Sequence, residues 1–222
     1  ASSENANNDK LVDVYERLCP YKTPPQILDE RVRQGIDGIP ITVFWQDGAG
    51  NVSFIGKYNF NNDKSTANVF GFTEDYPNAE SWEFRNNTSN RTLFKTSDYS
   101  DGWLNDFEAR YPEDNTDFSQ LKRVTDWIVS TDRNAATGNT FTTPVVIDGV
   151  SYTSDNASYR LAKFKNEFET YFIKSASLFY YLFTEVFLMI DSRAKNMFLT
   201  TYDGTHWLPL PYDFDTALGI NN

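Results

Sequence analysis

Near the end of this 222-residue chain, Asp191-Ser-Arg-Ala-Lys-Asn196 sets a carboxylate five residues before a carboxamide. A short hairpin pattern then leads to Asp213-Phe-Asp215, two more carboxylates. Phosphoryl transfer needs such groups: one base for an acceptor hydroxyl, and hard oxygen ligands that hold a divalent cation against phosphates. The same residues also have a plainer reading. Asp191 is then a polar helix terminus, Asn196 a turn residue, and Asp213 and Asp215 alternating solvent-facing positions of a strand.

The residues around this motif are less specific. No glycine-rich phosphate loop is present, so Lys57 and Lys64 are the candidate contacts to nucleotide phosphates. Lys57 falls inside an expected strand, where a phosphate-contacting lysine would belong, although an exposed surface lysine is the commoner occupant. Arg193 and Lys195 neighbour the acidic motif and can offset phosphate charge. The single histidine, His206, precedes Trp207 in the hairpin pattern and reads as a half-buried packing residue. One His and one Cys exclude a zinc site of the usual nitrogen and sulfur type.

Local patterning indicates how these residues are positioned. An apolar run from Tyr171 to Ile190 reads as a long, largely buried helix that delivers Asp191 at its end. The pattern after it predicts a strand over 196–202, a turn at Asp203-Gly-Thr205 and a return strand over 206–210. That hairpin carries Asp213 back beside Asn196. Upstream, Ile41–Trp45 and Val52–Phe60 flank Asp47-Gly-Ala-Gly-Asn51 and predict a β-hairpin. Helical spacing at 11, 12, 15 and 18 predicts a helix over 9–19, after a mobile arm at 1–8. Pro24 and Pro25 open a second helix, with Ile27, Leu28 and Val32 on one face and Gly35 and Gly38 as its stop. A strand at 81–85 and a short helix near 103–109 are expected in an irregular stretch. An amphipathic helix spans 117–130 on Phe118, Leu121, Val124, Trp127 and Ile128. An extended pair forms around Gly149, and a helix capped by Asn156 runs to Glu169.

The spacing of Asp191 and Asn196, with a later Asp-Phe, is similar to a protein-kinase catalytic loop and metal motif. It departs from that signature in two places: no His-Arg precedes Asp191, and the third residue of the later motif is Asp215 rather than Gly. More specifically, the chain resembles the CotH family of atypical, secretory-pathway-type kinases. The resemblance rests on these residues together with Phe54-Ile-Gly-Lys-Tyr-Asn-Phe60 and the following Asn-Asn-Asp-Lys64. The Asn196-Met-Phe198 and Pro211-Tyr-Asp-Phe-Asp-Thr-Ala-Leu-Gly219 segments look most like CotH-like domains of bacteriophage virion proteins. It covers most of residues 40–219, most strongly at the C-terminal end.

The resemblance implies an α+β fold with an atypical protein-kinase-like core, β-hairpins and a long buried helix. Residues 1–39 would form an N-terminal arm and helical segment, and 40–222 the CotH kinase-like domain, cut from a larger chain. It implies ATP with Mg²⁺ or Mn²⁺, Asp191 as base, Asn196 and Asp213 as metal ligands, and Asp215 as a second ligand or outer support. Which of Asp213 and Asp215 touches the metal stays open. The expected setting is a tail, collar or baseplate protein of the phage particle, within a multi-subunit assembly. Its partners are other virion subunits or a protein phosphoacceptor. A virion protein can keep such a scaffold and lose its chemistry, which gives the alternative of an inactive structural module. A carbohydrate- or surface-binding module is a further alternative, suggested by Trp82, Trp103 and many tyrosines.

Composition narrows the classes. A formal charge of −11 repels nucleic-acid phosphates and argues against a nucleic-acid partner. The 171–190 run is about as long as a membrane span, but Lys174, Ser175, Ser177, Thr184 and Glu185 interrupt it and make a buried helix the better reading. Cys19, alone, is expected as an apolar filler. No positively charged, apolar leader opens the sequence, which therefore reads as a processed or excised piece.

Overall fold

Large apolar side chains on both faces of a strand require cover on both sides, and Glu80–Phe84, Met197–Thr201 and Trp207–Pro211 are buried throughout. A computed structural model describes residues 3–84, 107–189, 191–193, 196–214 and 217–219, those at 3–9, 191 and 219 by their backbone alone. In it the chain is a mixed α+β protein with antiparallel sheets. The strands are β1 (Gly38–Gln46), β2 (Val52–Asn61), β3 (Glu80–Phe84), β4 (Phe107–Tyr111), β5 (Thr140–Ile147), β6 (Val150–Ser154), β7 (Met197–Thr201) and β8 (Trp207–Pro211). The described helices are α1 (Ser3–Leu18), α2 (Pro24–Leu28), α3 (Ala67–Phe70), α4 (Ser119–Thr131), α5 (Ala157–Tyr171) and α6 (Lys174–Val186).

The central sheet has the order β4-β3-β7-β8, and its two faces serve two cores. Met197 and Leu199 point to one face, where Leu11, Val12 and Tyr15 of α1, Leu121 and Val124 of α4, and Tyr180 and Phe183 of α6 pack with Trp82 and Trp207. Phe198 points to the other, against Ile36, Phe70, Phe72, Leu208 and Leu210. This is the strand's two-residue period realised as a two-sided core. Two hairpins stand apart from the sheet: β1 with β2, and β5 with β6. The second turns at Asp148-Gly149, both at positive φ, as a two-residue hairpin loop demands.

Several expectations hold. The 41–60 and 196–210 hairpins form, as do the 117–130 helix, the strand near 81–85 and the extended pair around Gly149. Asn156 caps α5 by accepting the Tyr159 amide at 2.9 Å. Cys19 is buried.

Others are corrected. The arm expected at 1–8 is helical from Ser3, in continuity with the 9–19 helix. The second helix is a five-residue turn that ends at Leu28, because the Asp29 side chain accepts the Arg31 amide and turns the chain, leaving Ile27 and Leu28 exposed. Residues 107–109 are strand, not helix, since Phe107 is buried against Phe84 and paired in register with it; 103–106 lie outside the described residues. The long buried helix over 171–190 is two pieces. Tyr171 closes α5, a bridge from Phe172 to Trp207 intervenes, and α6 runs only to Val186. One face of α6 is exposed at Leu178, Leu182 and Val186. Among the described residues no helix is long and apolar enough to cross a membrane.

Glu80 is a carboxyl buried in the central sheet, accepting the Trp82 indole N–H at 2.9 Å. Burial, only partly offset by that N–H, pushes its pKa up to about 7, with Asp117 adding a smaller rise. The folded state therefore holds this proton more tightly than the unfolded chain, whose glutamates titrate near pH ~4.3. The contribution to stability consequently falls as pH rises from there to about 7, by at most about 4 kcal/mol and by less to the extent that solvent screens the carboxyl. Glu80→Gln, which keeps an acceptor for the indole, is expected to be roughly 2–3 kcal/mol more stable than wild type at pH 8 and nearly equal to it at pH 4. Urea melts at the two pH values read the difference directly.

Candidate functional site

The β7–β8 hairpin fixes the first relation. Its last registered pair is Met197 with Pro211, so Asn196 and Tyr212 leave the ladder side by side and Asp213 follows. Asn196 and Asp213 both adopt positive φ, 56° and 58°, a conformation that Asn and Asp tolerate better than other side-chain-bearing residues. The register thus sets Asn196 opposite Tyr212, the chain neighbour of Asp213.

A second relation ties these residues to the end of α6. Phe214 is fully buried, with ring centres 5.8 Å from Phe183 and 6.3 Å from Tyr15. The Tyr180 hydroxyl donates to the Ser192 carbonyl at 2.5 Å, and the Leu218 amide to the Phe187 carbonyl at 2.7 Å. Met189, Met197, Phe214 and Ala217 share one core cluster with Tyr180 and Phe183. The 191–193 turn, the start of β7 and the segment after β8 are therefore anchored to the same piece of core. Asp191 opens a short 3-10 turn, Asp191–Arg193, rather than closing α6. The left-handed Leu188 and the buried Met189 come between, and Met189 returns its amide to Thr184. Arg193 pairs with Glu185 and lies over the Tyr181 ring, so its charge is already matched. Asp215 and Lys195 lie outside the described residues.

The third relation concerns the cations. Lys64 sits in the turn between β2 and α3, donating to Glu83 at 3.0 Å and to the Tyr212 hydroxyl at 3.3 Å. Burial lowers its pKa, but Glu83 and Tyr212 outweigh that and leave it above the ordinary lysine value. Glu83 also takes the Arg110 guanidinium at 2.5 Å, and Arg110 reaches Glu108 at 2.8 Å. Asn61, Asp63, Lys64, Ser65, Arg110 and Tyr212 line an open cleft of about 490 Å³. Lys57 is exposed in β2 opposite Thr42 and does not line it.

Tyr212 joins the halves: it holds Lys64 on one side, stacks on Phe198 at 5.2 Å, and is the chain neighbour of Asp213. Sequence reasoning missed Glu83 and Arg110. Both lie in strands whose pairing with each other depends on register across a long connection, and no local pattern in Glu80-Ser-Trp-Glu-Phe84 marks Glu83 as one of a charge pair. His206 is half-buried as expected, its Nδ1 2.6 Å from the Asp203 carboxylate. Trp82 is fully buried against Phe118, so its indole offers no face to a sugar ring. Trp103 lies outside the described residues.

The oxygen donors of Asn196 and Asp213 suit a hard cation such as Mg²⁺ or Mn²⁺. Among the described residues no three His, Cys, Asp or Glu side chains gather as a ready cation site. A cation here would therefore need the carboxamide and ligands from outside the protein to complete its shell. Compared with known families and curated proteins, the chain matches no family model and no curated sequence.

Proposed function

We propose that this chain is a CotH-like domain of the kind found in phage virion structural proteins, and that it transfers phosphate from ATP to a protein hydroxyl with a divalent metal. The observation that carries the reading is the meeting at Tyr212. A lysine held by a buried glutamate lies on one side of it, and next to it in the chain is the hairpin end that carries Asn196 and Asp213. Lys64 would contact nucleotide phosphates, with Glu83 fixing its ammonium. Asn196 and Asp213, with Asp215, would hold Mg²⁺ or Mn²⁺, and Asp191 would take or orient the hydroxyl proton. The bound metal nucleotide supplies the phosphoryl group and neutralises charge as it develops.

Asp191→Ala and Asp213→Ala are each expected to lower metal-dependent phosphate transfer by ~10²–10⁴-fold. Asp213→Ala also removes the rise in melting temperature produced by ATP with Mn²⁺, whereas Asp191→Ala keeps it. Transfer to a protein acceptor and thermal melts, run side by side, separate the two roles. Wild type that shows neither transfer nor a nucleotide-dependent shift ends the catalytic reading.

A second reading, an inactive structural module of the particle, is favoured by a different observation. The β1–β2 hairpin exposes large apolar side chains that an isolated enzyme has no reason to leave bare. Presence or absence of the protein in purified particles bears on this reading.

A further inference from the structure

A two-stranded hairpin alone in water is marginal, yet β1 and β2 pair only with each other among the described residues. Ile39, Phe44, Trp45, Phe54, Tyr58 and Phe60 on this hairpin are between 47% and 69% exposed. The strand register sorts its base into two faces. Ile39 lies opposite Phe60 and Ile41 opposite Tyr58, so one face is apolar, while the other carries Pro40, Thr42 and Lys57. Nearer the tip Phe44 and Phe54 pack edge to face at 5.7 Å.

We infer that this hairpin is a self-association arm, whose apolar face packs against the same face of a second copy of the chain about a two-fold axis. Three observations select that occupant. Strand alternation sets Ile39, Trp45, Tyr58 and Phe60 on one face and Phe44 with Phe54 on the other, so at roughly 200 Å² for each fully exposed side chain the apolar face leaves about 480 Å² uncovered, or close to the ~1,000 Å² over two copies that a specific interface needs. An isologous contact covers that whole area on both copies at once. Between Gly38 and Asn61 the only charges are Asp47 and Lys57, which cancel, although the chain as a whole carries −11. Two copies so charged repel unless they meet where local charge vanishes, and this arm is such a place. Finally, Pro40 in β1 and Lys57 in β2 blunt the strand edges, which directs association through the face rather than into open-ended sheet growth.

Sedimentation velocity on the full 222-residue chain, from ~1 to ~100 µM, tests this over the concentrations where an interface of this size associates. The expected result is a reversible shift to twice the 25.5 kDa monomer mass. Because apolar burial drives it, 0.5 M NaCl should leave the shift intact or strengthen it. Ile39→Thr with Phe60→Thr keeps strand propensity and should weaken association at least tenfold. Leu182→Thr, on the exposed face of α6, should leave it unchanged. A wild-type chain that stays monomeric, including one that instead binds a different protein, overturns the inference. So does a dimer that salt dissolves, one indifferent to the double substitution, or one lost through Leu182→Thr.

Discussion

Phe214→Ala is expected to cost about 3–5 kcal/mol of unfolding free energy, the most of any single truncation near the site. The ring is fully buried between Phe183 of α6 and Tyr15 of α1, so its loss opens a cavity where two helices and the segment after β8 converge. Little can move in to fill that space. The Phe214 carbonyl accepts the Ala217 amide, and Leu218 is tied to Phe187, which pins the chain on the far side of the ring. Phe214→Leu keeps most of the volume and should cost less than half as much. Leu218→Ala, at a mostly exposed side chain four residues on, should stay within about 0.5 kcal/mol of wild type. Urea melts of the three variants give the order. A Phe214→Ala cost below ~1 kcal/mol means that the ring does not anchor this segment, and the positioning of Asp213 needs another cause.

The contrast between Phe214 and the nearby helix explains how much of this protein was legible in its sequence. Hairpins with explicit turn chemistry were readable: Asp47-Gly-Ala-Gly-Asn51, Asp148-Gly149 and Asp203-Gly-Thr205 each close one, because local φ preferences and side-chain acceptors decide those turns. Asn196 and Asp213 were brought together in the sequence reading because a hairpin between them leaves one geometry. The run from Tyr171 to Ile190 misled because hydropathy alone does not separate one long helix from two short ones. The break at Phe172 and Ile173 depends on pairing with Trp207, more than thirty residues away. Residues 107–109 misled for the same reason, since β3 recruits them into the sheet and overrides local preference. Glu83 and Arg110 were invisible as site residues because charge pairing across strands follows register, which no local pattern printed. The part of the site contributed by Asp191 was legible as a type and a spacing, but its attachment was not. A 3-10 turn held by the Tyr180 hydroxyl, rather than the end of α6, carries it.

Lys64→Met should abolish the ATP-dependent rise in melting temperature and lower phosphate transfer by ~10²–10³-fold, while Lys57→Met should change neither. Both lysines were candidates in the sequence, Lys57 for its place in a strand, and their surroundings differ. Lys57 stands exposed on the hairpin arm, and an exposed, freely rotating ammonium gives little orientation to a phosphate. Lys64 is held at 3.0 Å by a glutamate that is itself buried and shared with Arg110. Glu83→Gln separates position from charge. It keeps the side chain's size and one acceptor, but leaves Lys64 and Arg110 facing each other with less compensation. Because the Lys64 side chain is about a third exposed, solvent absorbs part of that cost, and a loss of roughly 1–2 kcal/mol is expected. Transfer should fall in this variant even though Lys64 is still present, with the loss in the turnover rate more than in nucleotide affinity, as befits a residue that aims another. Equal effects of Lys57→Met and Lys64→Met, or an undiminished nucleotide shift in Lys64→Met, detach the cleft at Tyr212 from the hairpin end at Asp213. The phosphates would then have to be sought elsewhere on the chain.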